Sequence, residues 1–182
     1  MRSSSLVSLA TLAVMATLSP HALACWGEAG QRYGVSADLL YAIARVESNL
    51  NPKAVNRSHI QRTGSYDIGL MQINNRHLSV LSRHGISESD LFDPCTNIQV
   101  GAWLLSDLFS RNGTTWDAVG AYNAACSQLK GKACARARAK YAWRVYRQLP
   151  PQRSSQFVRA PNVVKPAASG EMLAMMSVQV AP

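Results

Sequence analysis

Ser36-Ala37-Asp38-Leu39-Leu40-Tyr41-Ala42-Ile43-Ala44-Arg45-Val46-Glu47-Ser48-Asn49-Leu50-Asn51-Pro52 contains a helix start, a helical apolar period and a helix stop in one short run. Ser36 can N-cap a helix beginning at Ala37, and Asp38 lies in the first turn, where the helix dipole favours an anion. Leu39, Ile43 and Val46 recur at helical spacing, as do Leu40, Ile43 and Glu47. Asn51-Pro52 lies just beyond the end. The period thus predicts a helix whose apolar face carries one carboxyl, that of Glu47, close to the C-terminus where the dipole opposes negative charge. Burial and dipole both favour its protonated form. Periodicity alone leaves another reading open, a surface glutamate at a frayed helix end, because glutamate is seldom buried.

Outward from this helix the chain stays helical in pattern. Further helices are expected over residues 76–84, stopped by Gly85, and over residues 98–111, where Ile98, Ala102, Leu105 and Phe109 form a stripe and Gly113 follows. Thr115 can cap another helix beginning at Trp116, and a last one is expected over residues 133–149. Residues 56–66 read as polar loop, and only residues 66–73 suggest short extended structure. Residues 150–182, rich in Pro, Ser, Ala and Val without a stable apolar period, read as a flexible tail with a short helix near residues 171–176. The expected fold is mainly α, one domain over residues 25–149.

The N-terminus has a polar, positively charged start, an apolar run over residues 6–18, and Ala22-Leu23-Ala24. This is the pattern of a secretory signal peptide over residues 1–24, cleaved after Ala24. The run is too short to cross a hydrocarbon core of about 30 Å, so no membrane span is expected. Four cysteines follow, Cys25, Cys95, Cys126 and Cys134. An even number in an exported chain favours disulfides, and three connectivities are open, with Cys126 and Cys134 placed for a local loop. No metal site is expected, since there is no Cys-x-x-Cys pair and no histidine at ligand spacing. The formal charge of +9 admits nucleic acid or a polyanionic envelope as partner. Export favours the envelope, and no nucleic-acid partner is expected.

Three motifs then stand in order. Ala42–Pro52 resembles the Glu-Ser motif of the soluble-lytic-transglycosylase (SLT) domain, Gly69-Leu70-Met71-Gln72-Ile73-Asn74 its Gly-Leu-Met-Gln-Ile motif, and Ala121-Tyr122-Asn123-Ala124 its Ala-Tyr-Asn motif. Cys25-Trp26, Tyr66-Asp67-Ile68, Asp93-Pro94-Cys95-Thr96-Asn97 and Gly101-Ala102-Trp103 resemble most the small specialised members serving conjugation, type III and type IV secretion, and type IV pili. The resemblance implies a lysozyme-like fold with a cleft, disulfides Cys25–Cys95 and Cys126–Cys134, a periplasmic location, peptidoglycan as substrate, a secretion, conjugation or pilus apparatus as partner, and no cofactor.

It also implies roles. Glu47 would protonate the glycosidic oxygen, since a leaving oxygen needs a proton and a carboxylic acid held neutral supplies one. It would then act as base while the muramic acid C6 hydroxyl attacks C1, giving a 1,6-anhydro product. Gln72 and Asn74 offer amides to sugar groups. Tyr122 would bond Glu47 or the cationic sugar, and Asn123 would orient its loop. Ser48 would bond substrate or cap the helix end. Tyr66 is a cleft candidate, while Trp103 and Met71 are expected in the packing. Gly69 allows close approach of a sugar, or is a turn glycine. Asp67 is a possible second carboxylate: holding a water, it would make the protein a hydrolytic muramidase. Otherwise it fixes its loop. A silent peptidoglycan-binding module is a third reading, which the intact set Glu47, Gln72, Tyr122 and Asn123 opposes.

Overall fold

Seven helices and a small sheet follow one another along the described residues, 20–151 of the computed structural model. The expected signal segment lies almost wholly outside them. So do the tail after Pro151 and the short helix expected near residues 171–176. Helix α1 spans Pro20–Tyr33 and α2 spans Ala37–Ser48. Strand β1 (Val55–Asn56), a single helical turn α3 (Ile60–Thr63), β2 (Asp67–Ile68) and β3 (Ile73–Asn74) come next. Then come α4 (Leu78–Leu81), α5 (Pro94–Asn112), α6 (Trp116–Asn123) and α7 (Gly131–Tyr146).

Local chemistry explains where elements begin. Ser36 Oγ accepts from Leu39 N and opens α2 as expected. Thr115 Oγ1 does the same for α6 through Ala118 N. Helix α5 starts at Pro94, ahead of the expected residue 98. Asp93 caps it through Thr96 N, and Pro94 sits in the first turn, where its missing N–H costs nothing. The helix expected over residues 76–84 is instead three short pieces: 3₁₀ turns at Asn75–His77 and Ser82–His84 flank α4. Ser79 and Ser82 hydroxyls donate to carbonyls three residues back, a local competition that keeps this segment tight and irregular. The last helix ends at Tyr146, short of Leu149, and α1 and α3 lie where no helix was expected.

The three strands form an antiparallel sheet ordered β1-β2-β3, with Asp67 opposite both Asn56 and Asn74. Leu40 and Ile43 of α2 are fully buried with Ile68, Met71, Ile98 and Leu105, so one core joins α2, the sheet and α5. Trp103 packs at its edge. Met71 fills the space that Gly101 leaves on α5, as the packing role requires. Gly120 lets α6 approach the backbone of α7 at Arg138. Cys25–Cys95 ties α1 to α5, with Cα atoms 5.3 Å apart. Cys126–Cys134 ties the segment after α6 to the first turn of α7, with Cα atoms 5.6 Å apart.

Candidate active site

Helix α2 ends where its chemistry begins. Asn49 (φ 54°) and Leu50 (φ 63°) both adopt left-handed backbone, turning the chain sharply away from Glu47. Their N–H groups bond back to Arg45 and Ala44 carbonyls, which would otherwise be left without partners at the helix end. Ser48 Oγ donates to Ala44 O and, at 2.7 Å, to Leu70 O, and it accepts from Asn51 N. Of the two roles open to Ser48, its contacts are those of a helix-end cap, and it also links α2 to the following turn.

Residues 69–72 form that turn, and three helices hold it. Ser48 from α2 takes Leu70 O. Asn97 from α5, 1 % exposed, accepts from Met71 N at 2.7 Å and donates to Ile68 O and Leu91 O. Tyr122 from α6 donates to Met71 O at 3.0 Å. Gly69 (φ 77°) abuts Asn97 and Leu91 O so closely that a Cβ would collide with both. Packing against the protein, rather than approach of a sugar, therefore requires this glycine. Gln72, itself left-handed (φ 51°), directs its amide nitrogen at Gly69 O (2.8 Å) and Ala54 O (3.3 Å).

Glu47, one residue before the Ser48 that reaches this turn, is half-buried. Its Oε1 accepts a 2.5 Å hydrogen bond from the hydroxyl of Tyr141, a residue of α7 that is 2 % exposed. Burial raises the Glu47 pKa from 4.5 to about 7. The Tyr141 bond and the Arg144 charge pull it down, while the Asp67 charge pushes it up. Burial outweighs the rest, so the carboxyl keeps a substantial protonated population near neutral pH. Tyr122 does not bond Glu47: its hydroxyl is spent on Met71 O, and burial beside Glu47 and Asp67 raises its pKa well above the ordinary value. The acid's phenolic partner is Tyr141, which sequence reasoning missed. The basic residues of α7 drew it toward a solvated helix, although Arg138, Tyr141, Ala142 and Val145 repeat at helical spacing and mark an inward face.

The other candidates spread around this centre. Asp67 Oδ1 accepts from Asn74 Nδ2 at 2.7 Å, and His59 Nε2 stands 3.5 Å from Oδ2. Asn74, expected to meet sugar, instead donates its amide nitrogen to Asp67 and Ser65, and its oxygen accepts from Arg76 N. Tyr66 donates to Glu88 at 2.8 Å, and Arg57 lies over its ring at 5.1 Å. Asn123 is exposed at the last position of α6. Among the described residues no group of three or more His, Cys, Asp or Glu side chains could hold a metal.

The sequence places this arrangement among known proteins. The model of the transglycosylase SLT domain matches residues 24–144. The chain belongs to the transglycosylase SLT domain family. It is a lytic transglycosylase, with the lysozyme-like helical fold expected of that family. Invasion protein IagB of Salmonella typhimurium is 44 % identical over 126 residues, covering 69 % of this chain and 76 % of that protein. Protein IpgF of Shigella flexneri is 43 % identical over 125 residues, covering 68 % and 78 %. A peptidoglycan-binding-like protein of Escherichia coli O157:H7 is 39 % identical over 146 residues, covering 77 % and 85 %. In structure, the chain resembles an inactive mutant of the lytic transglycosylase Slt of Pseudomonas aeruginosa, with TM-score 0.54 and 23 % identity. That likeness covers 72 % of this chain and 23 % of that one, and it bears on the fold.

Proposed function

We propose that this enzyme cleaves the β-1,4 bond between N-acetylmuramic acid and N-acetylglucosamine in peptidoglycan, with Glu47 as the acid. Glu47 gives its proton to the leaving glycosidic oxygen as the C1–O bond breaks. The resulting carboxylate takes the proton of the muramic acid C6 hydroxyl as that oxygen bonds to C1. No water is consumed and a 1,6-anhydro end forms. The observation that carries this reading is the half-buried Glu47 carboxyl, braced by Tyr141 and with its pKa raised to about 7.

Both oxygens of Asp67 face protein partners, Asn74 and His59, which favours an electrostatic and structural role over that of a water-holding catalytic base. Gln72 through its amide oxygen, its nitrogen being held by Gly69 O and Ala54 O, and the exposed Asn123 amide remain as contacts for the glycan, and residues 25–149 are the working domain. An export signal before Cys25 and disulfides at all four cysteines fit action in the periplasm. None of the described helices is long and apolar enough to cross a membrane. The names of the relatives, an invasion protein and a peptidoglycan-binding-like protein, support a role in locally opening the wall for a secretion, conjugation or pilus apparatus.

Mass spectrometry of muropeptides released from purified sacculi tests the reaction. Ends lighter than reducing ends by one water are expected, and Glu47→Gln should release none while remaining folded. Reducing ends would make the protein a muramidase, and turnover by the Glu47→Gln variant would remove Glu47 from its role.

A further inference from the structure

Helix α7 has a second face. Tyr141 points at Glu47, and Arg144 donates to Val46 O beside it. Trp143 lies two residues beyond Tyr141, about 200° around the helix, and so faces away from the acid. There Trp143 (60 % exposed) stacks on Tyr146 (50 % exposed), with ring centroids 5.3 Å apart and planes at 15°. Trp116 of α6 (46 % exposed) meets Tyr146 edge-on at 5.5 Å. Together with Asp117, Ala139 and Ala142 these rings line a hollow of about 350 Å³. Three clustered, exposed aromatic rings are more than scattered surface apolarity requires.

The surroundings of this patch are positive. No Asp or Glu occurs between Asp117 and Glu171, and Asp117 itself is paired with Arg138 at 2.7 Å. Lys140 and Arg147, both exposed and on the helical turns beside Trp143, form no ion pair among the described residues. Trp and Tyr rings suit the headgroup level of a bilayer, where one end of the ring is apolar and the other wet. Adjoining lysines and arginines draw such a surface to anionic lipid. An uncharged partner would leave these cations without a counter-charge.

We propose that the α6–α7 face binds an anionic phospholipid bilayer peripherally, with Trp143 and Tyr146 at headgroup level and Lys140 and Arg147 against lipid phosphates. The enzyme would thereby work on glycan strands from a membrane surface, with Glu47 turned away from the lipid.

The test uses the protein purified after export, as the host processes it, with phosphatidylglycerol and phosphatidylcholine vesicles. Trp26 and Trp103 are each only 8 % exposed, so a change in tryptophan emission reports on Trp116 and Trp143. Cosedimentation with phosphatidylglycerol vesicles, a blue shift and loss of binding in salt are expected, with none of these on phosphatidylcholine. Neutralising Lys140 and Arg147 to glutamine should weaken binding about fivefold per residue. The double variant Trp143→Ala/Tyr146→Ala should lose the blue shift while releasing glycan from sacculi at the parent rate. Failure to bind phosphatidylglycerol vesicles, or variants that bind like the parent, would overturn the proposal. So would a blue shift that follows added muropeptides, or one that follows protein concentration alone, which would assign the face to glycan or to a second copy.

Discussion

Replacing Glu47 by glutamine should stabilise the folded protein, and only above a definite pH. The carboxyl ionises at about 7 when folded, against an ordinary value of 4.5. Below about pH 4.5 both folded and unfolded chains hold the proton, and the group contributes no pH-dependent difference. As pH rises from 4.5 to 7, the unfolded chain has released the proton that the folded one retains, so stability falls. Above about 7 the folded protein also carries the charge, and the loss is complete. At about 1.4 kcal/mol for each pH unit between the two values, it amounts to about 3 kcal/mol. Glutamine removes the buried charge and keeps an oxygen to accept from the Tyr141 hydroxyl. Thermal unfolding of both proteins at pH 4 and pH 8 checks the reasoning. The variant should gain roughly 6–12 °C relative to its parent at pH 8 over any difference at pH 4, for a chain of this size. An equal difference at both values would refute it, because the carboxyl would then not be titrating between them.

Three further outcomes follow from the same geometry. Tyr141→Phe removes the bond that favours the ionised acid, so the alkaline fall in turnover should move to higher pH, read from kcat/KM profiles on soluble glycan. Asp67→Asn removes a charge that holds the Glu47 proton on; the same fall should move to lower pH while the muropeptides keep their anhydro ends. Asn97→Ala strips Met71 N, Ile68 O and Leu91 O of a buried partner, and denaturant unfolding should show a loss of about 3 kcal/mol or more.

The helices that carry the site announced themselves through caps and period. Ser36, Thr115 and the stripe from Ile98 to Phe109 each act over a few residues, and short-range signals survive in a linear reading. The segment over residues 76–84 did not, because serine back-bonding to neighbouring carbonyls competes with a helix without altering the apolar pattern. Within the site, the type of each side chain was legible but its partner was not. Tyr122 and Tyr141 are both buried phenols within reach of the Glu47 charge, and only the packing of α6 and α7 decides which one touches the acid. Asn74 offered a free amide in sequence, whereas strand register sets it opposite Asp67 and uses it there. Asn97 stood inside a quoted motif, yet its three buried bonds arise only once β2, the turn and α5 have come together.

The turn at residues 69–72 has one more implication, for how the molecule forms. Its clamps join residues 22, 26 and 51 positions apart, and the brace from Tyr141 to Glu47 closes a separation of 94. Closing loops of that length is the slow and entropically costly part of folding, whereas helices arise from local contacts. Helical content should therefore return early in refolding and turnover last. On the proposed role of Glu47, catalytic competence belongs to the finished topology, and a fragment that keeps the Glu47 helix but lacks α7 should not cleave glycan.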